Sequence, residues 1–87
     1  MRRQLANTTV WDPSPLEPGE TATVLVSVPG AAVGDVTFCG HSGLQPGRDH
    51  VQLSSISGEG VVQAMLYNVG KEVVDVGSGR LRVVVMQ

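Results

Sequence analysis

Cysteine occurs once in the 87 residues, as Cys39, and aromatic side chains three times, as Trp11, Phe38 and Tyr67. A single cysteine excludes an internal disulfide and with it a secreted, disulfide-stapled scaffold. Charge is equally sparse: six basic and eight acidic residues give a net charge of −2. The basic residues are scattered, so the electrostatic footprint of a nucleic-acid binder is missing. No apolar run approaches the ~20 residues of a membrane span, so no membrane partner is expected. Met1-Arg2-Arg3 has the charge of a signal-peptide start, yet Gln4–Thr9 lacks the apolar run that must follow, and the chain is expected to stay in the cytoplasm where it is made. No 3.6-residue apolar period appears in any segment, and no segment repeats.

Strict two-residue alternation is what the chain has in quantity. In Thr21–Val28 the apolar Ala22, Val24, Val26 and Val28 alternate with Thr21, Thr23 and Ser27, the mark of a strand with one face inward. Pro29-Gly30 and Gly34-Asp35 then stop the strand and turn the chain. Thr8–Trp11 reads as an earlier strand closed by Asp12-Pro13-Ser14-Pro15. Val36–His41 alternates as well, with Val36 and Phe38 on one side and Phe38 expected as a core anchor. His41–Arg48 reads as a long loop.

Val51 and Leu53 share a face in the next strand, and Ser57–Gly60 as a hairpin turn leads into Val61–Tyr67. There Val62, Ala64 and Leu66 oppose Gln63, Met65 and Tyr67. Asn68–Lys71 and Gly77-Ser78-Gly79 are read as turns, and Arg80–Met86 as a last strand with Leu81, Val83 and Val85 inward. The pattern predicts an all-β fold, a small antiparallel β-sandwich or barrel of about six to eight short strands. Its expected layout is a single domain over 7–87 behind an N-terminal arm over 1–6.

The inventory for catalysis is small: two histidines, one cysteine and four aspartates beside the glutamates. Cys39 and His41 lie two apart on one strand face, and Asp49-His50 follows the loop. The spacings of zinc ligands are missing, so no metal is expected. A Cys39–His41 or Cys39–His50 nucleophilic pair would need a sheltering pocket that a thin domain rarely has. Asp12 and Asp35 sit beside turn formers, where aspartate bonds its own backbone. Gly58-Glu59-Gly60 and Gly77-Ser78-Gly79 lead into no helix and so are not phosphate loops. No catalytic residue and no cofactor is expected. A second apolar set remains, Met65 and Tyr67 with Val61, Val84 and Met86. It is either scattered exposed surface, or covered by a second layer of the domain, or an interface with a partner.

Trp11-Asp12-Pro13, the Thr/Val strand, Pro29-Gly-Ala-Ala-Val-Gly-Asp35, Asn68, and Val74-Asp-Val-x-Ser78-Gly79-x-Leu81-Arg82-Val83 together resemble a family of small β-rich virion proteins of tailed bacteriophages and prophages. The resemblance spans most of residues 9–85 and is thinnest between Val36 and Gly60. It implies a non-enzymatic virion structural component, a decoration or cement protein on the outer head surface, partnered by the major capsid protein or another virion protein. The alternative is a β-sandwich adhesion or carbohydrate-binding module on a fibre or tail, for which Trp11 would be the sugar platform. Under the first reading Met65, Tyr67, Val84, Met86, Arg2 and Arg3 are expected at an interface, in a homo-oligomer with a trimer favoured. Gly30, Gly34, Asp35 and Gly79 are then expected to be structural turn residues.

Overall fold

The computed structural model describes residues 3–44 and 50–87. Six strands follow in order: β1 Gln4–Trp11, β2 Thr21–Ser27, β3 Val36–His41, β4 Val51–Gly58, β5 Val61–Asn68 and β6 Gly79–Met86. They form two three-stranded antiparallel sheets, β1-β6-β3 (sheet 1) and β2-β5-β4 (sheet 2), packed as a small β-sandwich. The all-β expectation is met. Among the described residues only β4 and β5 are joined as a hairpin, through Glu59 and Gly60, with Gly60 at φ +72°.

The inward stripes make the core. Val26, Val62 and Ala64 of sheet 2 meet Leu81, Val83 and Val85 of sheet 1, joined by Val28 and Ala31. Leu5, Trp11, Val24, Cys39 and Leu53 pack around this cluster. Strands β2, β5 and β6 therefore fill the core with every second residue, which is why short segments rich in small apolar residues suffice there.

Two expectations need correction. Strand β1 begins at Gln4, so residues 4–6 of the expected arm pair with Met86, Val85 and Val84 of β6. Its alternation is weak because only Leu5 among those residues turns an apolar group inward. Phe38 is not a core anchor: it is 60% exposed on the outer face of sheet 1. The inward side of β3 is instead Thr37, Cys39 and His41, and the Thr37 hydroxyl meets the Ser55 hydroxyl of β4 at 2.6 Å. Strands β3 and β4 are sheet edges that approach each other closely there, leaving room for small side chains only.

The corner after β2 is held from four sides. Gly30 and Gly34 take φ +95° and +88°, a region costly for other residues. Asp35 accepts from the Ala32 amide at 3.0 Å and from Gln87 Nε2 at 2.9 Å, and Gln87 Nε2 also donates to the Gly30 carbonyl at 2.8 Å. The Gly60 amide donates to the Ala31 carbonyl at 2.9 Å, and the Ser57 hydroxyl to that of Ala32 at 2.7 Å. Gly30 and Gly34 take the positive φ of the turn, and Asp35 bonds the backbone of that turn. Gly79 has a different task. It opens β6, and a Cβ there would lie 2.5 Å from His41 Cε1 and 2.8 Å from Ser42 Oγ.

The other end of the sandwich is fastened by Asn68. It is fully buried, and its Nδ2 donates to the Leu16 carbonyl at 2.9 Å and to that of Glu72 at 2.8 Å. Its Oδ1 accepts from the Gly70 amide at 2.9 Å. Leu16 and Val74 form a two-way backbone bridge beside it, at 2.8 and 2.9 Å.

Candidate functional site: the two outer sheet faces

Residues paired with catalytic chemistry in the sequence are engaged structurally. His41 is buried; its Nδ1 accepts from the Gly43 amide at 3.1 Å, which leaves Nε2 to donate to the Trp11 carbonyl at 2.9 Å. Both ring nitrogens are thereby engaged by backbone groups. The Cys39 thiol is half-buried, and this burial pushes its pKa above the ordinary thiol value, with a hydrogen bond to Ser55 acting weakly the other way. Trp11 is half-buried, with its ring edge-to-face against His41 at 5.9 Å, so it is not a free-standing platform. Among the described residues, no group of three or more His, Cys, Asp or Glu side chains is placed to hold a metal ion.

The chemistry left at the surface belongs to the outer faces of the two sheets. Strand pairing arranges the outer face of sheet 1 in four rows: Gln4–Met86–Val36, Ala6–Val84–Phe38, Thr8–Arg82–Gly40 and Val10–Arg80, the last extended by Ser42, whose amide donates to the Arg80 carbonyl and whose hydroxyl accepts from the Arg80 amide. The first two rows are mostly apolar. The last two carry two guanidinium groups two residues apart, and no acidic residue occurs in any of the four rows. Among the described residues neither arginine forms an ion pair.

Gly40 leaves a gap in the third row, because a Cβ there would meet nothing within 4 Å. Around it opens a cleft of about 720 Å³ lined by Phe38, Val84, Thr8, Arg80 and Arg82. Phe38, in the wall of this cleft, is 60% exposed, and Val36, its neighbour on the same face of β3, is 58% exposed. A contiguous apolar patch on a small domain marks an interaction surface more often than isolated exposed residues do.

The outer face of sheet 2 is of another kind. Its rows are Thr21–Tyr67–Gln52, Thr23–Met65–Ser54, Leu25–Gln63–Ile56 and Ser27–Val61–Gly58, twelve positions without a charge. Leu25 and Ile56 are 67% and 66% exposed and flank Gln63.

The expected interface residues are thus divided. Met65 and Tyr67 lie on the outer face of sheet 2, whereas Val84 and Met86 lie on the outer face of sheet 1. One flat contact cannot cover both pairs, since the core separates them. Arg3 pairs its backbone with Gln87 and lays its side chain against Gly30, at the corner. Arg2 and residues 45–48 of the expected long loop lie outside the described residues. The sequence marks Phe38 as core and does not single out Gly40, Leu25 or Ile56; outward phase is a usable signal for Leu25, which shares its parity with Thr21 and Thr23. No family model matches this chain, and neither curated proteins nor solved structures show a significant similarity to it.

Proposed function

We propose that the chain is a non-enzymatic structural protein of a tailed-phage virion, a decoration or cement protein that seats on the outer head surface. The sequence resemblance suggests the setting. The observation that supports attachment is Phe38, the only phenylalanine, held outward on sheet 1 beside Val36 and Val84. Leaving these side chains in water forgoes about 1.5–3 kcal/mol for each one that could be buried, a gain recovered when a partner covers them. The major capsid protein or another virion protein is the proposed partner for this face.

Copies of the chain would meet through the uncharged outer face of sheet 2. A surface with no charge can pack on another copy without like-charge repulsion, and Met65 and Tyr67 lie on its central strand. A trimer remains the favoured form.

The test is co-sedimentation of the purified chain with heads of the phage or prophage that encodes it, alongside mass spectrometry of the purified particles. Wild type is expected in the particles and bound to heads. Phe38→Asp is expected to unfold with the same midpoint as wild type, because the position is outward, yet to stay in the supernatant. A chain missing from particles, or a Phe38→Asp variant that binds as well as wild type, would overturn the reading. For the oligomer, sedimentation velocity should show Tyr67→Asp shifting the assembly towards monomer; identical profiles would remove sheet 2 from the contact.

A further inference from the structure

We infer that the outer face of sheet 1 takes an extended segment of a partner protein in which an apolar residue is followed, at alternate positions, by two acidic ones. This rests on that face being the attachment face and adds the chemistry of what attaches. Along β6 the outward residues are Val84, Arg82 and Arg80, spaced by two residues and therefore by about 6.6–6.8 Å each. An extended chain repeats its side chains at the same interval. Laid along β6, it presents successive same-side groups to an apolar site and then to two cationic ones.

Each station has a physical counterpart. Phe38, Val84 and Ala6 form the apolar row. The gap over Gly40 lets a partner side chain reach past the level of its neighbours to Arg82, which lies opposite Gly40 in the ladder. Guanidinium groups bind carboxylates through paired N–H donors, so acidic side chains fit the two cationic stations better than amides do.

Other occupants fit less well. A second copy stacked face to face would bring four arginines together with no acidic side chain in the rows to oppose them. Nucleic acid would find only two cations here, on a chain of net charge −2.

The experiment is a titration of the isotope-labelled full chain, followed by amide resonances. The probe is a capped Ser-Leu-Ser-Asp-Ser-Glu-Ser peptide, compared with the same peptide carrying Asn and Gln for the acids and with a short oligothymidylate. Perturbed resonances are expected at Phe38, Gly40, Arg82 and Val84, with binding weakened as salt rises from about 0.05 to about 0.5 M. Combining Arg80→Gln with Arg82→Gln should weaken the acidic peptide about tenfold while leaving the unfolding midpoint unchanged. Gly40→Val begins to fill the gap with a Cβ that meets nothing within 4 Å and should abolish the response.

No perturbation at about 5 mM peptide, equal binding of the amide peptide, or a response to the oligonucleotide alone would each overturn the inference. The two ideas fail separately. If Phe38→Asp releases the chain from heads while the acidic peptide does not bind, the attachment face stands and the acidic segment falls. If the peptide binds but Phe38→Asp leaves head association intact, the site exists and the virion role for it falls.

Discussion

Replacing Asn68 should show how far one side chain fastens the end of the sandwich. Asn68→Ala removes three hydrogen bonds, from Nδ2 to Leu16 and Glu72 and from Gly70 to Oδ1. The Leu16 carbonyl keeps its bond from the Val74 amide, whereas the Gly70 amide and Glu72 carbonyl have to find water. At about 1 kcal/mol per lost bond the cost is about 3 kcal/mol. In a domain of this size that lowers the melting temperature by about 12–24 °C.

Asn68→Asp separates the hydrogen-bond argument from simple loss of volume. The shape is kept, but an oxygen now faces the Leu16 and Glu72 carbonyls, and a buried carboxylate is raised in pKa by desolvation. The folded state then holds a proton that the unfolded chain releases near pH 4, so stability falls as pH rises above about 4. At neutral pH Asn68→Asp should be less stable than Asn68→Ala, and the order should narrow or reverse on acidification. Urea unfolding followed by Trp11 fluorescence measures both. An Asn68→Asp variant within about 1 kcal/mol of wild type at pH 7, or one whose deficit does not change with pH, would refute the reasoning.

Three further outcomes are expected. Gly30→Ala should cost more than Gly34→Ala by thermal unfolding: both bear the positive-φ penalty of about 1–2 kcal/mol, but only at Gly30 does the new Cβ meet Arg3 and Leu5, at 3.0 and 3.3 Å. Gly79→Ala, at an ordinary φ, should still destabilise by about 1–3 kcal/mol, because its Cβ would fall 2.5 Å from His41 Cε1; adding His41→Ala should recover part of that loss. Cys39 should react with a thiol reagent more slowly in the folded than in the urea-unfolded chain. Since its folded pKa is raised, its contribution to stability is complete below the unfolded thiol value and declines as pH rises through the folded one. Subtracting the pH profile of Cys39→Ala isolates this decline, and superimposable profiles would contradict it.

Strand positions were legible wherever one stripe of a segment was plainly more apolar than the other. Val62, Ala64 and Leu66, and likewise Leu81, Val83 and Val85, are buried as their alternation predicts. In β3 both stripes hold an apolar or small residue, Val36 and Phe38 against Thr37 and Cys39. Periodicity finds such a strand without saying which side faces in, and the close approach of Ser55 decided it. The grouping of Met65 and Tyr67 with Val84 and Met86 failed for a different reason. Phase puts each pair outward, but the sheet each belongs to depends on the pairing of β6 with β1 and β3, which is not local in sequence. Asn68 did leave a signal, since it stands in phase with the buried stripe of β5. A polar residue at such a position implies a satisfied buried network rather than a simple turn.

The strand order also governs how the chain reaches this state. Strand β6 is the centre of sheet 1, and Gln4 finds its partner only at Met86. During synthesis β1 and β3 have no neighbour in their sheet until β6 has left the ribosome, whereas β2, β4 and β5 can pair before it, the β4–β5 hairpin being the local contact among them. Sandwiches dominated by such distant pairings fold in milliseconds to seconds rather than microseconds. Stopped-flow refolding should therefore give a slow phase accelerated little by stabilising the hairpin alone. Until it is complete, β1 and β3 present unpaired edges, and newly made chains at high concentration are at risk of joining one another through them.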